Sequence, residues 1–83
     1  MQQDSVSLTR LMQVFRHKLE VEVPSPETDL VVTGLMDSLV FVELLFQLES
    51  EFGVRIAVDQ LDLDQFRSVV SILRFIEQLE QAA

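Results

Sequence analysis

Asp37-Ser38-Leu39 opens an apolar and acidic stretch, and Ser38 holds the hydroxyl whose setting points most clearly to chemistry. A nucleophilic serine needs a neighbouring base, and that base needs an orienting group. The single histidine, His17, lies in a different segment and reads as a solvated surface residue, and no Gly-x-Ser-x-Gly turn surrounds Ser38. Catalysis by Ser38 is therefore disfavoured. Two readings of Ser38 remain open on the residues alone: a plain helix-start residue, or a hydroxyl that another enzyme modifies. In the second case an anion attached there would sit beside free backbone N–H groups and the positive end of the helix dipole.

Other site chemistries find little support. Asp59, Asp62 and Asp64 form an acidic knot. A calcium loop begun at Asp59 or Asp62 would place Val70 or Leu73 where a bidentate glutamate belongs, and it lacks the required glycine. The knot reads instead as capping and solvation, and no metal site is expected. With only Gly34 and Gly53, the chain has no phosphate-cradling loop. Cysteine is absent, so there are no disulfides or thiolate metal sites, which fits a reducing compartment.

The elements that must position Ser38 can be read from periodicity. Leu8, Leu11, Met12, Phe15 and Leu19 recur with helical spacing, so residues 5–19 are expected as a first helix, capped by Asp4, Ser5 or Ser7. Pro24-Ser25-Pro26 forbids a helix in the connection over 20–36, whose apolar Leu30, Val31, Val32 and Leu35 should pack onto the core. Residues 38–52 form the second expected helix, with Asp37 as N-cap and Gly53 at its end. Residues 54–58 read as extended or loop and 59–65 as a short helical turn. Ser68 caps a last helix over 69–80, with Val69, Ile72, Leu73, Ile76 and Leu79 on its inner stripe. The expected fold is all-α: a small four-helix bundle, three main helices plus one short helix, with a long loop between the first and second helices. Residues 1–83 are expected as one domain.

The second helix has more apolar surface than folding requires. Phe41, Leu44, Leu45, Leu48 and Phe52 cluster within about 100° of arc, the width of a core-facing stripe. Leu39, Val42 and Phe46 fall on a second arc roughly 140° away, flanked by Glu43, Glu49 and Ser50. An apolar centre with a charged rim suits partner docking. The competing reading packs this second stripe under the 20–36 loop or the short helix.

Net charge is −8, and all of it lies in residues 27–83, which hold eleven acids and three bases; residues 1–26 hold three of each. A field of that sign repels nucleic acid and anionic membranes and draws partners with basic patches. No apolar run approaches the roughly 20 residues of a membrane span, and the N-terminus lacks signal-peptide character. A soluble, cytoplasmic protein is expected, monomeric by default, with neither nucleic acid nor membrane insertion.

Gly34-Leu35-Met36-Asp37-Ser38-Leu39, followed by Glu43-Leu44, Leu48-Glu49 and Glu51-Phe52, resembles the acyl/peptidyl carrier proteins over about residues 6–80. The resemblance implies that Ser38 carries covalent 4′-phosphopantetheine, donated from coenzyme A by a phosphopantetheinyl transferase that Asp37 helps to engage. Cargo would ride as a thioester on the arm's thiol, making the chain a non-catalytic shuttle between biosynthetic enzymes. An acyl or aminoacyl ligase and a downstream transferase are the implied partners, with Leu39, Glu43, Phe46 and Glu49 on the positions that meet them; Val42 joins this expected docking face from the second arc of the wheel. Phe52-Gly53-Val54, Asp64-Gln65-Phe66-Arg67-Ser68 and Ile76-Glu77-Gln78 are similar to discrete aminoacyl or D-alanyl carriers. Val40 and Phe41 depart from the polar pair usual in fatty-acid carriers, and Phe41 is expected to fill space that an acyl chain would otherwise enter. Two rival expectations are a carrier domain of a polyketide or nonribosomal peptide assembly line, which the start at Met1 and short tails disfavour, and an unmodified helical interaction module.

Overall fold

The computed structural model describes residues 2–82, with the side chains of residues 2–6, 60 and 82 left aside. Three helices carry the architecture: α1 (Gln2–Gln13), α2 (Ser38–Phe52) and α3 (Val69–Ala82). Two 3₁₀ turns, Val58–Gln60 and Leu63–Phe66, lie between α2 and α3, so the expected short helix is present in this tighter form. Among the described residues there is no strand. None of their helices is long and apolar enough to cross a membrane.

α1 starts earlier than its sequence pattern suggests. Ser7 lies inside the helix, and the side chains of Asp4 and Ser5, the other two expected caps, lie outside the described residues. At Val14–Lys18 the helix widens into a π turn, closed by the Leu19 N–H donating to the Val14 carbonyl at 3.0 Å. The wider turn changes which side chains face inward. Val14, off the predicted stripe, is buried beside Leu11, Phe15 and Leu19, while Leu8 and Met12 are half-buried.

The long connection is anchored in the middle and at its end. Leu30 and Met36 are buried, and the Met36 N–H donates to the Leu30 carbonyl at 2.9 Å, closing the intervening turn. Gly34 makes that turn possible with φ +80°, a conformation that side chains disfavour. The same segment is bonded to the α3 end: Leu30 N–H to the Arg67 carbonyl (2.6 Å) and Val70 N–H to the Pro26 carbonyl (3.1 Å). Val32, expected to pack, is instead 77 % exposed at the crest of the turn. The buried neighbours fix the turn, so Val32 is not needed for its closure.

A charged clamp reinforces this join. Arg67 bonds Asp64 at 2.9 Å and Asp29 at 3.2 Å. Asp29 also accepts the Val32 and Val31 N–H groups at 2.9 and 3.0 Å. The Val32 N–H bond, with the Arg67 charge and the Val31 bond, holds the Asp29 carboxyl below its ordinary range against partial desolvation. The hydrogen bond to Asp64, then the charge of Asp29, raises Arg67 further.

α3 is the main packing element. Val69, Ile72, Leu73 and Ile76 are buried and Leu79 half-buried, as its periodicity predicts. Ser68 Oγ accepts the Ser71 N–H at 3.1 Å and so caps the helix. Phe66, fully buried, meets Phe41 edge-to-face (5.2 Å, 84°) and Phe75 at a tilt (5.1 Å, 57°). This aromatic row ties α2 to α3. At the far end of α2, Arg10 donates to the Glu51 carbonyl at 2.6 Å and lies 4.7 Å over the Phe52 ring.

Candidate functional site

Two local features place Ser38. The first is the buried Met36, which fixes the chain two residues upstream. The second is Asp37, extended at φ −104°, ψ −177°, whose Oδ1 accepts the Val40 N–H at 2.8 Å and whose carbonyl accepts the Phe41 N–H at 2.9 Å. The predicted N-cap is therefore present. The N–H groups of Ser38 and Leu39, first in the helix, have no intrahelical acceptor. Asp37, Ser38 and Leu39 are all exposed.

This geometry suits a covalently attached phosphodiester. The hydroxyl is open to an approaching enzyme, and the unpaired N–H groups and helix dipole favour an anion on it. His17 is exposed on the π turn of α1, where it lines one hollow with α1 and loop residues and a second with Arg10 and Glu51, and Ser38 lines neither. Among the described residues, no three His, Asp or Glu side chains gather to hold a metal. Asp62 Oδ1 accepts the Asp64 N–H at 3.0 Å, capping the second 3₁₀ turn, and Asp64 is tied to Arg67.

The two arcs of α2 separate as the wheel predicts. Leu44 and Leu48 are buried, with Phe41, Leu45 and Phe52 half-buried against them. On the second arc Leu39, Val42 and Phe46 are 68, 62 and 69 % exposed, so neither the long loop nor the 3₁₀ turns cover it. Three large apolar side chains therefore stand in solvent along one helix face, next to the exposed Ser38. The two acids beside it differ. Both are exposed, but Glu49 Oε2 also accepts the Ile56 N–H at 2.9 Å and so holds the chain leaving α2. Glu49 is thus a structural strut as well as a rim charge.

Some of the surface was not visible in the sequence. Val32 stands exposed on the turn ahead of Ser38, and Val58 and Leu63 on the chain after α2. Isolated apolar residues in irregular segments have no periodicity to reveal their facing. Lys18 and Leu19 also reach α2, lining a hollow of about 350 Å³ with Val42, Glu43, Phe46 and Gln47.

Residues 9–76 match the family described as "Phosphopantetheine attachment site". Over 56 residues the chain is 34 % identical to the D-alanyl carrier protein of Streptococcus pyogenes serotype M5 (strain Manfredo), covering 68 % of this chain and 71 % of that protein. The D-alanyl carrier proteins of serotype M49 (strain NZ131) and serotype M1 match over the same extent at the same identity.

Proposed function

The chain belongs to the phosphopantetheine-attachment family of carrier proteins, which shuttle acyl or aminoacyl groups on a covalent 4′-phosphopantetheine, and from that premise we propose that Ser38 is its attachment point. The observation that carries this reading is the exposed Ser38 hydroxyl at the Asp37-capped start of α2, beside the exposed Leu39, Val42 and Phe46. When bound, the group supplies a flexible thiol that holds cargo as a thioester. The protein's own part is to present Ser38, shelter the attached phosphate with the first N–H groups of α2, and offer a face to each enzyme in turn.

Asp37 has two roles in this proposal: it caps α2, and it engages the phosphopantetheinyl transferase. Leu39, Val42, Glu43, Phe46 and Glu49 form the docking face, with Glu49 contributing through the segment it anchors at Ile56. The cargo is a small aminoacyl group of the D-alanyl kind, after the name of the similar streptococcal carriers. An ATP-dependent ligase charges the arm and a downstream transferase empties it. The Phe41–Phe66–Phe75 row, closed at 5.2 and 5.1 Å, supports a cargo that stays outside the bundle. The protein acts as a cytoplasmic monomer.

Intact-protein mass spectrometry after incubation with coenzyme A and a broad-specificity phosphopantetheinyl transferase tests the assignment. Wild type gains one phosphopantetheine and Ser38→Ala gains none. A single addition retained by Ser38→Ala would move the site elsewhere.

A further inference from the structure

We infer that the hollow between the π turn of α1 and the middle of α2 is a charge-reading cleft, which seats an apolar side chain of the charging ligase with an acidic group beside it. The inference deepens the docking face proposed above and rests on that reading. Leu19, Val42 and Phe46 give the hollow its apolar surface, and Lys18 and Glu43 flank it. Its volume of about 350 Å³ has room for a side chain. Although Lys18 and Glu43 line the same hollow, they form no ion pair with each other. Each is left to meet a charge brought by a partner.

The backbone places Lys18 on this face. The π turn Val14–Lys18 changes the angular register at the end of α1, and such turns recur at functional sites. Glu20 then takes φ +58°, a left-handed conformation uncommon for a residue with a side chain. Buried Leu19 and the Val21 N–H bond to the Phe15 carbonyl (2.8 Å) hold the reversal in place. Strain of this kind persists only where the surroundings enforce it. At this reversal Lys18 lines the hollow it shares with Val42 and Phe46, one cation on a protein with net charge −8.

A charge pattern of this kind selects partners by register. A ligase that relied only on a basic patch would be drawn to the acids of residues 27–83 and repelled by Lys18. One that brings an acid opposite Lys18 and a base opposite Glu43 fits in a single orientation, with its apolar anchor over Val42 and Phe46.

The test is the rate at which an ATP-dependent D-alanine ligase charges the phosphopantetheine-loaded protein, compared across Lys18 variants at one low salt concentration. Lys18→Glu is expected to lower kcat/KM about tenfold and Lys18→Gln about threefold, as loss of a complementary charge at an interface does. Lys18→Arg should recover most of the loss. Lys18 is exposed, so circular dichroism and melting midpoints should match wild type and exclude a folding defect. Charging by Lys18→Glu that equals or exceeds wild type would overturn the cleft, because simple attraction by acids predicts that sign. Failure of the loaded wild type to be charged would instead overturn the D-alanyl reading, and with it this occupant.

Discussion

α2 and α3 are nearly equal in length, at 15 and 14 residues, and both are rich in apolar side chains, yet they use them differently. Val69, Ile72, Leu73 and Ile76 of α3 are buried along one stripe, so its apolar surface serves folding. α2 buries Leu44 and Leu48 but leaves Leu39, Val42 and Phe46 in solvent. Exposing large apolar groups gains nothing for the isolated fold, because hydrophobic stabilisation scales with area removed from water. A small domain can carry such a face only if another helix provides the core. Here α3, the buried α1 residues and the anchored loop do so, which leaves α2 free to expose Ser38 and its second apolar stripe.

Breaking the contrast on the α3 side should have the largest effect on stability. Ile72→Ala, at a fully buried site, is expected to cost about 2–5 kcal/mol, read as a lower urea midpoint. For a chain of this size that is a large share of a total near 0.05–0.15 kcal/mol per residue. Any loss of charging should follow the folded fraction.

Phe46→Asp is the opposite case. Its stability should stay within about 0.5 kcal/mol of wild type, as for an exposed position, while ligase charging falls about tenfold or more, as for a central interface anchor. Unchanged charging would remove Phe46 from the docking face. A clear fall in the melting midpoint would show that the second stripe contributes to the core after all.

Asp37→Ala sharpens the boundary between the two uses, because the residue both caps α2 and neighbours Ser38. Loss of the 2.8 Å bond to the Val40 N–H should cost about 1 kcal/mol. Transfer of phosphopantetheine to Ser38 should slow by more than the folded fraction accounts for. Asp37→Asn, which keeps a capping oxygen, should restore stability but not the transfer rate.

The smallest effect concerns acid pH. The Asp29 carboxyl is held below its unfolded value by the Val32 N–H bond and by Arg67. Its contribution is therefore present above the unfolded value and lost as pH falls through the folded one. The join between the long loop and α3 should loosen below about pH 4, where an ordinary aspartate begins to protonate. Asp29→Asn should flatten that part of the pH–stability curve, and an unchanged curve would assign the acid sensitivity to other carboxylates.

Much of the fold and site could be read directly from the residues, for reasons of range. A helix repeats every few residues and a cap acts across three, so α2, α3, Asp37, Ser68 and the two arcs of α2 were set out by local pattern. What pattern left open was whether the second arc would be covered as well, since that stripe was also compatible with a loop lying over it. The facing of Val32 and the second role of Glu49 were equally hidden.

By itself the sequence determined an all-helical acidic chain, the chemistry available at Ser38, and two apolar stripes on one helix. Only the tertiary structure decided that Arg67 would meet Asp29 across 38 residues, that Arg10 would clamp the end of α2 across 41, and that Lys18 of the π turn would line one hollow with Val42 and Phe46. Such contacts join segments with no fixed spacing along the chain. Their partners are chosen when the core closes, by the volumes that fit and the backbone groups left to be paired.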